Sequence, residues 1–200
     1  AHSADESWVT PHLADVIVWP QSVEEVAAIV RHANARGLPI VPWAGGSSLE
    51  GNPVPVRGGI LLAMYRMSEI LKIDEENLQV TVQPGVIYDD LNAKLRRLGM
   101  FFPPAPGSSD VATIGGMVAN NSSGMRAVKY GVTRDYVLKL QAVLPDGRVI
   151  RIGSNAKKST SGYDLLSLFV GSEGTLGVIT EITLRLIGAP EQVGAVVAVF

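Results

Sequence analysis

Along the 200-residue chain, hydrophobic positions come in short runs that glycine and proline interrupt. Asp15–Trp19 (DVIVW) reads as a brief strand that Pro20 ends. Ser22 and Glu25 have capping-box spacing, and Val23, Val26, Ala27, Val30 and Ala33 then recur at helical intervals. An amphipathic helix is therefore expected over residues 22–36, with Gly37 as its stop. Leu38–Val41 reads as a second strand, which runs into PWAGGSSLEG at Pro42–Gly51. Strand, helix and strand within about 30 residues is the size of a right-handed βαβ unit.

Gly59–Tyr65 (GILLAMY) predicts a buried strand, followed by an amphipathic turn through Met67 and Ile70. Leu78, Val80 and Val82 alternate with Gln79 and Thr81, a half-buried strand that Pro84-Gly85 ends. Leu91, Leu95 and Leu98 mark one face of a helix running from near Asp89 to Gly99. An uncharged loop region is expected from there to Gly131, then a hairpin over Tyr136–Ile152 turning at Pro145-Asp146-Gly147. Val178, Thr180, Ile182, Leu184 and Leu186 share one face of a last strand. The order of elements predicts an α+β fold, with a smaller unit over residues 1–84 and a more strand-rich one over residues 85–200. Val193–Phe200 (VGAVVAVF) is apolar and stops mid-pattern, and the chain begins with Ala1. Both features suggest a piece of a longer protein, with a further strand or domain to follow.

Composition narrows the class. There are 17 Lys and Arg against 19 Asp and Glu, a net charge of −2 without basic blocks, and no cysteine. Disulfide scaffolds and thiolate metal sites are excluded, and nucleic acid or an anionic membrane surface is disfavoured as a partner. No apolar run is long enough for a transmembrane helix, and no targeting signal stands at the start. A cytoplasmic protein, or one held at a membrane only through partners, is expected. With 21 Gly and 12 Pro the chain is richer in both than the usual roughly 12%.

These residues concentrate. From Leu98 to Met125 the single charge is Asp110, and half of the stretch is Gly, Pro, Ser or Asn. Gly45-Gly46-Ser47-Ser48 follows a strand, where glycines let backbone N–H groups converge on an anionic oxygen and serines add hydroxyls. Taken alone, such a glycine pair serves equally well as an ordinary turn. Pro104–Ser109 and Thr113–Gly124 carry small side chains with neutral donors and acceptors. That suits a backbone lying against a large polar heterocycle and a diphosphate, or a tightly packed turn region. Gly171–Ile179 (GSEGTLGVI) repeats glycine every three residues before the last strand, as a ligand loop or a bulged turn would. Three glycine clusters over some 130 residues point together to one extended ligand gripped in several places. No Walker Gly-Lys-Ser/Thr and no G-x-G-x-x-G opening a helix is present.

Pro42–Gly51, Gln83–Val86, Pro106–Gly124, Lys129–Gly131, Val143–Gly147, Ser161–Leu165 and Phe169–Ile179 occur in this order in the PCMH-type FAD-binding domain of the vanillyl-alcohol-oxidase superfamily, which this sequence resembles. The nearest branch is similar to the FAD-linked D-lactate dehydrogenases and glycolate oxidase large subunits, and the likeness runs from about Asp15 to Pro190. It implies two α+β subdomains with FAD between them. Gly45, Gly46, Ser47 and Ser48 would hold the diphosphate. Pro106, Gly107, Ser109, Thr113, Gly115, Gly116, Asn120, Ser122 and Gly124 would line the isoalloxazine and diphosphate. Glu173, Gly174, Gly177, Val178 and Ile179 would face the ribose and adenine. Pro42, Gly51, Ile114 and Ala119 complete the expected cofactor set.

In some branches a histidine in or near the first loop is bonded to the flavin. Here Ser47 and Ser48 stand there, and His2, His12 and His32 lie elsewhere in the sequence, so non-covalent FAD is expected. The resemblance implies hydride transfer from C2 of a small 2-hydroxy acid, D-lactate or glycolate, to flavin N5. It places the substrate-binding and metal-binding groups in a C-terminal cap domain that this chain does not contain. No catalytic residue and no metal ligand is therefore assigned. Tyr163 and Asp164 read as turn and packing residues ahead of polar candidates near the flavin face, Arg126, Lys129 and Arg134 as solvated charge ahead of partners for a substrate carboxylate or the phosphates, and Lys157-Lys158 as a loop tip. His12 and His32 are expected to face solvent. The expected partners are the hydroxy acid and an electron acceptor or partner subunit. The other class of function open to the sequence is a non-catalytic FAD-carrying electron-transfer subunit.

Overall fold

Three short parallel strands form the first sheet of the computed structural model, which describes residues 2–156, 158, 160–192, 194, 196 and 197. They are β1 (Val16–Val18), β2 (Ile40–Trp43) and β3 (Ile60–Ala63), with α1 (Val23–Asn34) crossing between β1 and β2. The order is β1-β3-β2. The expected βαβ unit is present, but β3 lies between its strands. β3 reads Ile-Leu-Leu-Ala and is buried throughout, so it takes the central place where both faces are covered. Ile60 and Leu62 face α1, while Leu61 and Ala63 pack with Trp43 on the other side.

α1 forms where its cap and apolar stripe predict. Ser22 Oγ accepts the Glu25 N–H at 3.2 Å, and Glu25 reaches back to the N–H of Gln21 at 2.7 Å. Val26, Ala27, Val30 and Ala33 turn inward against Ile60 and Leu62 and also against Val143 and Val178. The last two belong to the second sheet, so one helix cements both.

The second sheet contains β4 (Ile70–Asp74) and β5 (Gln79–Val82). The chain continues through α2 (Tyr88–Arg96), β6 (Met100–Phe101), α3 (Ile114–Ala119) and α4 (Ala127–Tyr130). Then come β7 (Val137–Val143), β8 (Val149–Gly153), α5 (Leu165–Phe169), β9 (Val178–Arg185) and β10 (Ile187–Gly188). The five-stranded order is β4-β5-β9-β7-β8, antiparallel throughout. Sheet membership thus changes between β3 and β4, earlier than the division drawn at residue 84. Pairing β5 with β9 buries Val80 and Val82 in the larger core, which holds both strands to the second sheet.

Other differences have local causes. The turn expected near Ile70 is strand β4, with half-exposed Ile70 and Ile73 packed on the larger core. The region expected to be loop from Gly99 to Gly131 contains β6, α3 and α4. α5 is a further short helix, capped by Asp164, whose side chain accepts the Ser167 N–H at 3.0 Å. Hydrogen bonding from Ser167, by its side chain first and by this N–H next, holds the Asp164 carboxyl below the usual carboxylate range. Part of the apolar C-terminal run, namely Val193, Ala195 and residues 198–200, and Lys157 of the lysine pair lie outside the described residues.

Candidate cofactor site

The loop after β2 is shaped by close approaches that tolerate no side chain. Gly46 has φ +68°, and a Cβ there would lie 2.7 Å from the Trp43 ring. Trp43 is itself buried and donates its indole N–H to Tyr65 Oη at 2.8 Å. Gly45 abuts the carbonyl of Val111, which presses the loop onto the 108–112 segment. The Ser108 hydroxyl donates to Ser47 Oγ at 3.2 Å across the same seam. Among the described residues, the N–H groups of Gly45, Gly46, Ser47 and Ser48 make no hydrogen bond to the protein.

α3 forms the neighbouring wall. Thr113 caps it, Oγ1 accepting the Gly116 N–H at 3.2 Å, and the Gly115 N–H donates to the Pro84 carbonyl at 2.8 Å. Ile114, Met117 and Val118 anchor the helix in the larger core. Gly116 turns outward, and a Cβ there would lie 3.2 Å from Ala44 Cβ. The third loop docks on the far end of α3. The Gly171 N–H donates to the Val118 carbonyl at 3.0 Å and the Glu173 N–H to the Ala119 carbonyl at 2.9 Å. Glu173 has φ +53°, a left-handed conformation that costs a non-glycine residue about 1 kcal/mol or more.

These segments enclose a cavity of about 740 Å³, within the range of small-molecule and cofactor sites, roughly 300–1,000 Å³. Pro42, Gly45, Gly46, Ser47 and Ser48 line it from the first loop. Pro106, Gly107, Thr113, Gly115, Gly116, Ala119, Asn120 and Ser122 line it from the middle region, and Glu173, Gly174, Gly177, Val178 and Ile179 from the third. The lining carries three carboxylates, Glu6, Glu50 and Glu173, and among the described residues no Lys, Arg or His. An anionic group bound here meets backbone N–H groups and hydroxyls.

Four residues expected at the cofactor do not line the cavity. Ile114 points into the core at 0% exposure, because the six-residue helix α3 turns one side, with Met117 and Val118, away from the cavity to anchor itself. Ser109 turns away, its hydroxyl donating to Asp89 at 3.0 Å. Gly51 faces Val9 and donates its N–H to Asp5 Oδ2 at 2.9 Å. Gly124 is pressed against the Ala105 carbonyl. Many glycines were expected to admit a ligand. At Gly45, Gly115, Gly124 and Gly177 the nearest neighbours are protein atoms, and the missing side chain lets one segment stack on another.

Glu6, Trp43, Glu50, Asn52, Met64, Pro84, Ser108, Met117 and Asn121 also line the cavity, beyond the expected cofactor set. Glu50 and Asn52 flank the first glycine motif and could have been reached by extending it. Met64 arrives through sheet topology and carries no local signal, whereas Pro84 lies in Gln83–Val86, one of the segments that carry the resemblance. Burial raises the pKa of Glu50, with Glu173 and Asp5 adding to the shift.

Tyr163 is 94% exposed and, like Asp164, lies off the cavity. Arg134 is exposed, as expected for solvated charge, and also donates to the Val170 carbonyl at 2.7 Å. Arg126 and Lys129 lie over the rings of Phe101 and Tyr130 at 5.9 and 5.0 Å. His12 and His32 are exposed. His2 packs edge-on to Trp43 with ring centroids 5.2 Å apart, outside the cavity lining. Among the described residues no cluster of His, Cys, Asp and Glu is arranged to hold a metal, and no helix is long and apolar enough to cross a membrane.

The family of FAD-binding domains matches residues 14–153. The chain belongs to that family. The chain is 44% identical over 188 residues to the glycolate oxidase subunit GlcD of Bacillus subtilis, covering 94% of this chain and 40% of the relative. It is 46% identical over 179 residues to a D-lactate dehydrogenase of Anaerostipes hadrus, covering 90% of this chain and 38% of the relative. A solved structure of alkyldihydroxyacetonephosphate synthase superposes with a TM-score of 0.84 at 30% identity, over 96% of this chain and 36% of that one. The chain therefore spans about two fifths of the length of these relatives. The mixed helix and sheet architecture is that of the PCMH-type FAD-binding fold. The cavity suits FAD in kind, because a diphosphate can take the N–H groups of the first loop and a flat ring system the small side chains of α3.

Proposed function

We propose that this chain is the FAD-binding domain of a flavin-dependent oxidoreductase that oxidises a small 2-hydroxy acid, D-lactate or glycolate. The observation that carries the reading is the cavity itself, where three glycine-rich segments distant in sequence meet around a lining without Lys, Arg or His among the described residues. Its likeness to a glycolate oxidase subunit and a D-lactate dehydrogenase supports the substrate class.

In this proposal Gly45–Ser48 hold the diphosphate through backbone N–H groups. Pro106, Gly107, Gly115 and Gly116 lie along the isoalloxazine, and Glu173 to Ile179 along the ribose and adenine. FAD is held without a covalent bond. When bound, it supplies the two-electron acceptor for the hydride that a 2-hydroxy acid gives up at C2 as it becomes a 2-oxo acid. The chain's own residues bind and orient the cofactor and exclude water from it. The groups that hold the substrate carboxylate and take its hydroxyl proton are proposed to come from outside these 200 residues, as is the electron acceptor.

The test is reconstitution. The purified chain is incubated with FAD, freed of excess by gel filtration and examined for flavin absorbance, then treated anaerobically with D-lactate or glycolate beside a longer form of the protein. Retained flavin is expected, with bleaching by substrate only in the longer form. No retained flavin would falsify the cofactor assignment, and bleaching by the 200-residue chain would place catalytic groups within it. A longer form that holds flavin but never bleaches would favour an electron-carrying subunit. A pellet that stays yellow after acid precipitation would contradict non-covalent holding.

A further inference from the structure

The first glycine loop has little regular structure of its own, and Gly45, Gly46 and Gly51 leave its backbone permissive. Something must hold it in the shape that presents its N–H groups. Three side chains close a ring of hydrogen bonds at its end. The Ser48 hydroxyl donates to Asn52 Oδ1 at 2.8 Å, Asn52 Nδ2 donates to Asn120 Oδ1 at 2.9 Å, and Asn120 Nδ2 donates back to Ser48 Oγ at 3.1 Å. Each member donates once and accepts once within the ring. Asn120 Nδ2 also donates to Glu50 Oε2 at 2.9 Å. A carboxylate only accepts, so Glu50 fixes which way the Asn120 amide points and with it the direction of the whole ring.

We propose that Asn120 is a positioning residue that locks the first glycine loop through this ring, leaving the Ser47 hydroxyl, and not that of Ser48, as the loop's side-chain donor to the diphosphate. The proposal rests on the FAD reading above. The single proton of Ser48 goes to Asn52, and its oxygen accepts from Asn120 and from the Glu50 N–H at 3.1 Å. It is saturated, and donating to a phosphate oxygen would break the ring. Ser47 Oγ only accepts, from Ser108, so its own proton is free. The ring spans 68 to 72 residues of sequence and ties the loop to the end of α3, itself fixed in the core. A loop held in its bound shape loses less entropy when the ligand arrives.

Opening the ring at any member breaks two of its three bonds, so single substitutions should overlap rather than add. The test compares Ser48→Ala, Asn120→Ala, the double variant, Ser48→Thr and Ser47→Ala. FAD dissociation constants are measured together with amide hydrogen exchange, in the FAD-free protein, of Glu6, Gly51 and Val54, whose N–H groups are bonded to the Ser48 carbonyl, to Asp5 and to the Gly51 carbonyl and so report on the loop. Ser48→Ala and Asn120→Ala are each expected to weaken FAD about tenfold, with the double variant within about twofold of either. Both should speed loop exchange while β9 exchanges as before. Ser48→Thr keeps the hydroxyl and should keep affinity, and Ser47→Ala should lose affinity with loop exchange unchanged. Additive losses, or lost affinity at unchanged loop exchange in Ser48→Ala, would overturn the proposal by making Ser48 a direct ligand. If Asn120→Ala does not fold, Asn52→Ala opens the same ring and is judged by the same two measurements. A wild-type chain that takes up no FAD overturns the functional reading, and exchange in the FAD-free variants then still decides whether the ring holds the loop.

Discussion

Glu50 stands where the site is least comfortable. It borders a cavity proposed for a diphosphate, beside Glu173 and near Asp5, and its pKa is raised by burial first and by those two carboxylates next. Folding thus favours its protonated form, so its contribution to stability is present below the unfolded value of 4.5 and is lost as pH rises through the higher folded value. Glu50→Gln removes that loss and keeps an acceptor for Asn120. The variant should melt higher than the wild type at neutral pH, with the gap closing as pH falls below the ordinary glutamate range. Melting curves across that range check it, and a gap that does not change with pH would remove Glu50 as the cause. The same carboxylates explain why loop glycines matter twice over. With no Lys or Arg among the described lining residues, anion binding depends on N–H groups that only a tightly folded loop can bring together.

α3 is the element that a local reading had least reason to expect. Its six residues, Ile-Gly-Gly-Met-Val-Ala, include two glycines, each costing about 1 kcal/mol in a helix, and a helix this short does not persist alone. It exists because Thr113 caps it, Pro84 accepts from Gly115, and Met117 and Val118 are buried. Thr113→Val isolates the cap. The residue is extended, with φ −90° and ψ 152°, so valine fits the backbone, but the Gly116 N–H loses its acceptor. A loss of about 1–2 kcal/mol is expected in urea unfolding of the FAD-free protein, and an unchanged midpoint would show that packing alone holds the helix. The contrast with α1 marks what a sequence reveals. Ser22, Glu25 and a five-residue apolar stripe state that helix within one window, as glycine clusters state the three loops. β4 stayed hidden because a half-exposed edge strand blurs its alternation. The ring of Ser48, Asn52 and Asn120 stayed hidden because its partners meet only after the sheets have formed, and no spacing encodes that.

At the scale of the whole molecule, the cavity draws its walls from both sheets: the loop after β2 and Met64 on one side, the start of β9 on the other. α1 packs on both as well, through Ile60 and Leu62 and through Val143 and Val178. Two sheets that share a helix and a ligand should unfold together. The three tryptophans, Trp8, Trp19 and Trp43, all lie in the first quarter of the chain, so their emission follows the first sheet, whereas far-ultraviolet dichroism is weighted toward the five-stranded one. Coincident transitions by the two probes are expected without FAD, which is the condition for treating unfolding as one step. FAD at one hundred times its dissociation constant should add about 2.7 kcal/mol, which in a domain of this size raises the melting temperature by roughly 5–10 °C. Both probes should shift by the same amount. A shift in tryptophan emission alone would mean that the first loop binds the cofactor without the second sheet. Separate transitions in the FAD-free protein would mean that the seam made by α1 is too weak to couple the halves, leaving the ligand as the main connection between them.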